Sequence, residues 1–170
     1  MKLPYLSGYP ENLINQVRQL LTQEKLGTML LNNYPQCHKI KNEKALYEYT
    51  VILKKRFMRK SPALSKVVYD PKIQVIDHAL GQHKKISRVQ GTRLKSKNEI
   101  RVATVFRTAP QAFLDMILIH ELAHFKESDH NKAFYQLCKH MDPQYHQLEF
   151  DLRVYLTYLD LVGELYDVEE

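Results

Sequence analysis

The chain is 170 residues long, 44% hydrophobic and 26% charged, ordinary values for a globular protein able to bury one sizeable core. No apolar run approaches the eighteen or so residues that cross a bilayer, and the first ten lack the apolar stretch and cleavage site of a secretory signal, so a cytoplasmic protein with no membrane partner is expected. The net charge of +6 hides a separation, with 21 Lys/Arg against 7 Asp/Glu in residues 1–107 and 4 against 12 in residues 108–170.

In chain order, Leu13, Ile14, Val17, Leu20 and Leu21 follow helical spacing after Pro10-Glu11, and Leu46, Tyr49, Leu53 and Phe57 do so again. From Lys66 the period changes. Val67-Val68-Tyr69, an Asp70-Pro71 turn and Ile73 to Ile76 predict a hairpin, with further strands near 85–90 and 99–106. After Ala109-Pro110 comes a helix too apolar for the surface, then a shorter one with Ala133, Phe134, Leu137, Cys138 and Met141 on one face. A long last helix is predicted to start at Asp142-Pro143. Cys37 and Cys138 form no Cys-x-x-Cys pair, which argues for reduced thiols, Cys138 in the core. No repeat or linker divides the chain. The expectation is one domain over 1–170, with a helical part at 1–62, a sheet at 66–107 and helices around a metal at 110–162.

The buried helix contains His120-Glu121-Leu122-Ala123-His124. Side chains at i and i+4 of a helix share a face with Cβ atoms about 5–6 Å apart, so two imidazoles can hold one zinc ion. Glu121, one step round, is placed to act as general base on water. Burying two imidazoles and a carboxylate among Ile and Leu costs several kcal/mol unless a partner satisfies them, and one metal ion would. The candidate third ligand is His130, at the spacing found in metzincins. Those carry Gly in the middle of the intervening five residues, where this chain has Glu127, so a different turn is expected, with the helix ending near Glu127 and Ser128 or Asp129 capping the next. Glu149 is the rival ligand. His38, His78 and His83 read as surface residues, while His140 and His146 are candidates to sit behind the ligands. Tyr145, Tyr135, His146 and Arg88 are candidate oxyanion stabilisers or substrate contacts.

These residues, with Ser87-Arg88-Val89-Gln90-Gly91, Glu99-Ile100-Arg101-Val102, Ala109-Pro110 and His130-Asn131-Lys132-Ala133-Phe134, resemble the YgjP-like metallopeptidases, which are similar to the SprT-like and WLM zinc proteins. Leu46-Tyr47-Glu48-Tyr49 and Pro143-Gln144-Tyr145-His146 extend the resemblance along the chain. It implies His120, His124 and His130 as metal ligands, Glu121 as catalytic carboxylate and peptide bonds as substrate. Many members carry Trp-Gly-Ser-Cys after the basic strand, where this chain has Gly91-Thr92-Arg93-Leu94.

The expected fold is α+β and zincin-like: a small antiparallel sheet over a buried His-Glu-x-x-His helix, with flanking N- and C-terminal helices. The expected function is hydrolysis with one zinc per chain, peptides or proteins being the leading substrate. An alternative is a nucleoside-triphosphate pyrophosphohydrolase or phosphatase, because the basic stretch from Lys84 to Arg107 leads into the active-site helix and suits an anionic nucleotide. A third reading is a non-enzymatic zinc-stabilised module binding nucleic acid through the basic face.

Overall fold

The structure is a computed structural model and describes residues 1–73 and 98–167. After a 3-10 turn at Pro4–Leu6, α1 spans Glu11–Thr22 and turns Val17 into the core, with Ile14, Leu20 and Leu21 packed beside it. Helix α2, Leu26–Asn33, has no counterpart among the sequence expectations. It buries only Leu26 and Leu30, an i, i+4 pair too short to register as a stripe. Helix α3, Glu43–Phe57, starts where the Asn42 side chain accepts a hydrogen bond from the Ala45 amide at 2.8 Å. Its last turn is basic, and Lys54 is buried there, donating to the Ser61 carbonyl at 2.8 Å. That lysine closes a helix end and is not part of an exposed cationic face.

Strands β1, Lys66–Asp70, and β2, Glu99–Ala103, pair in parallel with Lys66 opposite Glu99 and Asp70 opposite Ala103. The fold is α+β as expected, but the sheet is parallel where an antiparallel one was predicted. A parallel pair needs a long crossover rather than a tight turn, and residues 71–98 connect the two strands. Asp70-Pro71 therefore ends a strand without folding it back on its neighbour. The consecutive Val67 and Val68 are both buried, as expected of a strand covered on both faces. The expected strand near 85–90 and the hairpin residues beyond Ile73 lie outside the described residues. The strand expected to run to 106 stops at Ala103, and Thr104–Thr108 forms a 3-10 turn that buries Phe106.

Helix α4, Gln111–Ala123, is the centre of the molecule, packing on α3, β2 and two later helices. Eight of its residues are buried, including Phe113, Leu114, Ile117, Leu118 and Leu122. It ends at Ala123, four residues earlier than expected at Glu127; the Lys126 and Glu127 amides both bond back to the Ala123 carbonyl and turn the chain. Among the described non-glycine residues, Glu24 has the one positive φ, so Glu127 completes the reversal without the left-handed conformation a glycine would supply. Helix α5, Lys132–Met141, is capped by Asn131, whose side chain accepts from the Phe134 amide at 2.9 Å; neither Ser128 nor Asp129 takes that place. Helix α6 spans Tyr145–Leu161, and the Asp142 carboxylate accepts from the Gln144 amide in the turn before it. No helix among the described residues is long and apolar enough to cross a membrane.

Candidate metal centre

The last turn of α4 carries His120 and Glu121, with His124 at its end, and the turn that follows returns His130 to the same place. The three Nε2 atoms lie 3.1 Å (His120 to His124), 3.0 Å (His124 to His130) and 3.3 Å (His130 to His120) apart. Ligands about 2.0–2.1 Å from a tetrahedral zinc lie about 3.3 Å from one another, so the spacing fits three vertices around one ion. Proton placement agrees. His124 Nδ1 lies 2.9 Å from the Glu127 carbonyl, which can only accept, so the proton sits on Nδ1 and the Nε2 lone pair faces the other two rings. One cation between the three nitrogens would let each of them present a lone pair to it.

His120 is oriented from α6. Its Nδ1 is 2.8 Å from the Tyr145 hydroxyl, which also interacts with the Cys138 thiol of α5. Tyr145 and Cys138 are both completely buried, and burial pushes the thiol up to about 12 and the phenol well above its ordinary range. Beneath the triad, the Phe134 ring stacks on His124 at 4.5 Å and lies 5.0 Å from His120 and 4.9 Å from His130. Phe134 was read from sequence as core; it is also the floor that fixes all three imidazole planes.

The other candidates divide. Tyr145 reaches His120, but His146 is exposed and touches Tyr135 and Tyr145. The Tyr135 ring lies 6.2 Å from His130, His140 is exposed beside Phe57, and Arg88, His78 and His83 lie outside the described residues. His38, expected at the surface, is 4% exposed: its Nε2 meets the Phe106 carbonyl at 2.6 Å, and its Nδ1 accepts from the Ile40 amide. Burial lowers its pKa and keeps it neutral. Glu149, the rival ligand, is outside the His120, His124, His130 group and faces a cleft beside it.

That cleft lies between β2, the 3-10 turn at Thr104–Thr108, α4 and α6, and His120 and Glu121 are among its lining residues. Its walls are mainly apolar, and two arginines line it. Arg101 is neutralised by Asp70 at 2.9 Å and Glu99 at 2.6 Å. Arg153, the one arginine in the acidic last third of the chain, forms no ion pair among the described residues. Its isolation in that stretch was the available sequence signal.

Residues 82–155 match the family model described as YgjP-like, metallopeptidase domain. A relative in Escherichia coli (strain K12), a UTP pyrophosphatase, is 59% identical over 159 residues, which cover 94% of this chain and 95% of its own. No solved structure matches the chain. Peptidases and pyrophosphatases are both hydrolases, and with identity this high over nearly the whole of both sequences, the chain belongs to the YgjP-like family.

Proposed function

We propose that the chain is a metal-dependent pyrophosphohydrolase of nucleoside triphosphates, converting UTP and water to UMP and pyrophosphate, with one zinc held by His120, His124 and His130. The observation that carries this reading is the 59% identity, across 94% of the chain, to a relative named UTP pyrophosphatase. The three converging imidazole nitrogens support the metal. A bound zinc ion supplies Lewis acidity, acidifying water and drawing charge from a phosphoryl oxygen. Glu121, at the cleft edge beside His120, takes the proton from the attacking water. Water oxygen bonds to the α-phosphorus, the bond from that phosphorus to the bridging oxygen breaks, and pyrophosphate leaves with the electron pair. Tyr145 holds His120 with its Nε2 toward the other two ligands. Lys84 to Lys97 are the cations assigned to the departing phosphates, since Arg101 and Lys54 are already occupied within the protein.

Peptide hydrolysis is the second reading, favoured by the description of the family model. The same centre would serve it, so assay decides. Wild type and Glu121→Gln, both loaded with zinc, are tested on a panel of nucleoside triphosphates and on casein. Pyrophosphate release from UTP that drops by about 10²–10⁴ in the variant at full metal occupancy is the expected result. Casein cleavage lost in the variant, with triphosphates untouched by wild type, would overturn the pyrophosphatase in favour of the peptidase.

A further inference from the structure

The cleft beside the triad is built for something other than phosphate. One wall is a face of α6 on which Tyr145, Glu149, Leu152, Arg153 and Leu156 recur at helical spacing. Val102, Phe106, Met116 and Ile117, from β2, the 3-10 turn and α4, line the cleft as well. A triphosphate tail carries several charges that need water, cations or metal, and this lining would strip the water while offering few cations. Apolar walls with a few placed polar groups suit a flat heterocycle.

Two polar groups stand one helical turn apart in that lining. The N-terminal segment holds them: Arg153 Nη1 donates to the Tyr5 carbonyl at 3.1 Å, its guanidinium lies over the Tyr9 ring at 5.7 Å, and Tyr9 interacts with Glu149. The remaining N–H groups of Arg153 have no acceptor among the described residues, and its Nε is buried without a partner. A donor that cannot lose its proton and a carboxylate acceptor thus sit side by side. Uracil presents the complementary edge, with carbonyl oxygens that accept and an N3–H that donates. Cytosine presents an amine in place of the O4 carbonyl and an N3 that accepts, which sets donor against donor and acceptor against acceptor.

We propose that this cleft is the nucleobase subsite, in which Arg153 and Glu149 read the edge of a uracil ring whose faces lie against the apolar walls; the assignment rests on the triphosphate reading above. With the base here, the α-phosphate falls toward His120 and Glu121, which line the same cleft.

The test measures kcat/KM of the zinc-loaded protein for UTP, CTP, N3-methyl-UTP and inorganic triphosphate. Wild type is expected to prefer UTP to CTP by tenfold or more, and to lose about tenfold or more on N3-methyl-UTP, which lacks the donor that Glu149 accepts. Glu149→Gln keeps the size but offers both a donor and an acceptor, so the UTP to CTP ratio should fall by about tenfold. Arg153→Met should lower the same ratio, mainly through KM for UTP. The analogue needs no substitution, so it keeps the proposal open to refutation if Arg153→Met does not fold. Full activity on N3-methyl-UTP, or folded variants with the wild-type ratio, would overturn the subsite and leave the pyrophosphatase reading standing. Arg153→Met lowering turnover of inorganic triphosphate as much as that of UTP would assign the arginine to phosphate and also overturn it. No triphosphate hydrolysis by wild type would overturn both.

Discussion

Tyr145→Phe removes the one oxygen that the tyrosine sets against His120 Nδ1. The tyrosine is 0% exposed, as is Cys138 behind it, so the hydroxyl's contact with His120 Nδ1 is made in a buried place. Removing one partner of a buried hydrogen bond costs about 1–3 kcal/mol, equivalent to about 5- to 150-fold in an equilibrium constant. The ring can lower that cost by moving its proton to Nε2, but that nitrogen then donates where it must present a lone pair. Either way the loss falls on the metal-competent arrangement. Partners behind metal-bound histidines are typically worth about 10–100-fold in affinity, in the same range. The expected outcome is therefore zinc affinity weaker by about one to two powers of ten, measured by competition against a chromophoric chelator. The phenyl ring keeps its packing against Tyr135, so the apo protein should still fold cooperatively. Affinity within twofold of wild type would show that the hydroxyl does not orient His120.

Removing the metal should lower the melting temperature, because an ion at a thousand times its dissociation constant adds about 4 kcal/mol to the folded state; an unchanged melting curve in excess chelator would deny the centre. Asn131→Ala deletes the cap of α5 beside His130 and should cost about 1 kcal/mol, or about 2–4 °C in melting temperature. For His38, burial holds the folded pKa below the ordinary 6.5. The neutral form is the one folding favours, so its contribution is complete above pH 6.5 and is lost as pH falls through the folded value. Melting measured downward from pH 7.5 should fall more steeply for wild type than for His38→Gln, and identical slopes would refute the buried neutral imidazole. Reversing the charge at Arg93, Lys95 and Lys97 together should raise KM for UTP and flatten its salt dependence; an unchanged salt profile would place the phosphates elsewhere.

What the sequence made legible was local. His120, Glu121 and His124 sit on one helix, where i, i+4 geometry is fixed by the backbone, and His130 follows after a turn short enough to be read from spacing. The central helix was equally plain, because an apolar run such as Phe113 to Ile119 has no stable place outside a core. Strand pairing was misread. Asp70-Pro71 has the chemistry of a turn, and a turn between two β-rich runs predicts an antiparallel hairpin, yet β1 pairs with residues far along the chain. Only the partner decides whether such a turn closes a hairpin or begins a crossover. His38 was misjudged for a related reason: its two hydrogen-bond partners are backbone groups, and one of them, the Phe106 carbonyl, comes from a 3-10 turn read as strand.

The cleft shows the same limit from the other side. Its polar groups depend on pieces from opposite ends of the chain, Tyr5 and Tyr9 against Glu149 and Arg153, and no spacing rule connects them. Charge counting pointed elsewhere, to the long basic stretch, and treated its members as equivalent. They are not: Arg101 is neutralised by two carboxylates, whereas Arg153, outside that stretch in an acidic region, lacks a carboxylate partner among the described residues. A cation contributes to recognition through the partners it lacks within the protein, not through its place in a run. The histidine cluster was legible because one helix and one turn build it, and the pairing of Arg153 and Glu149 with the N-terminal segment was hidden because it exists only after folding has brought that segment onto α6.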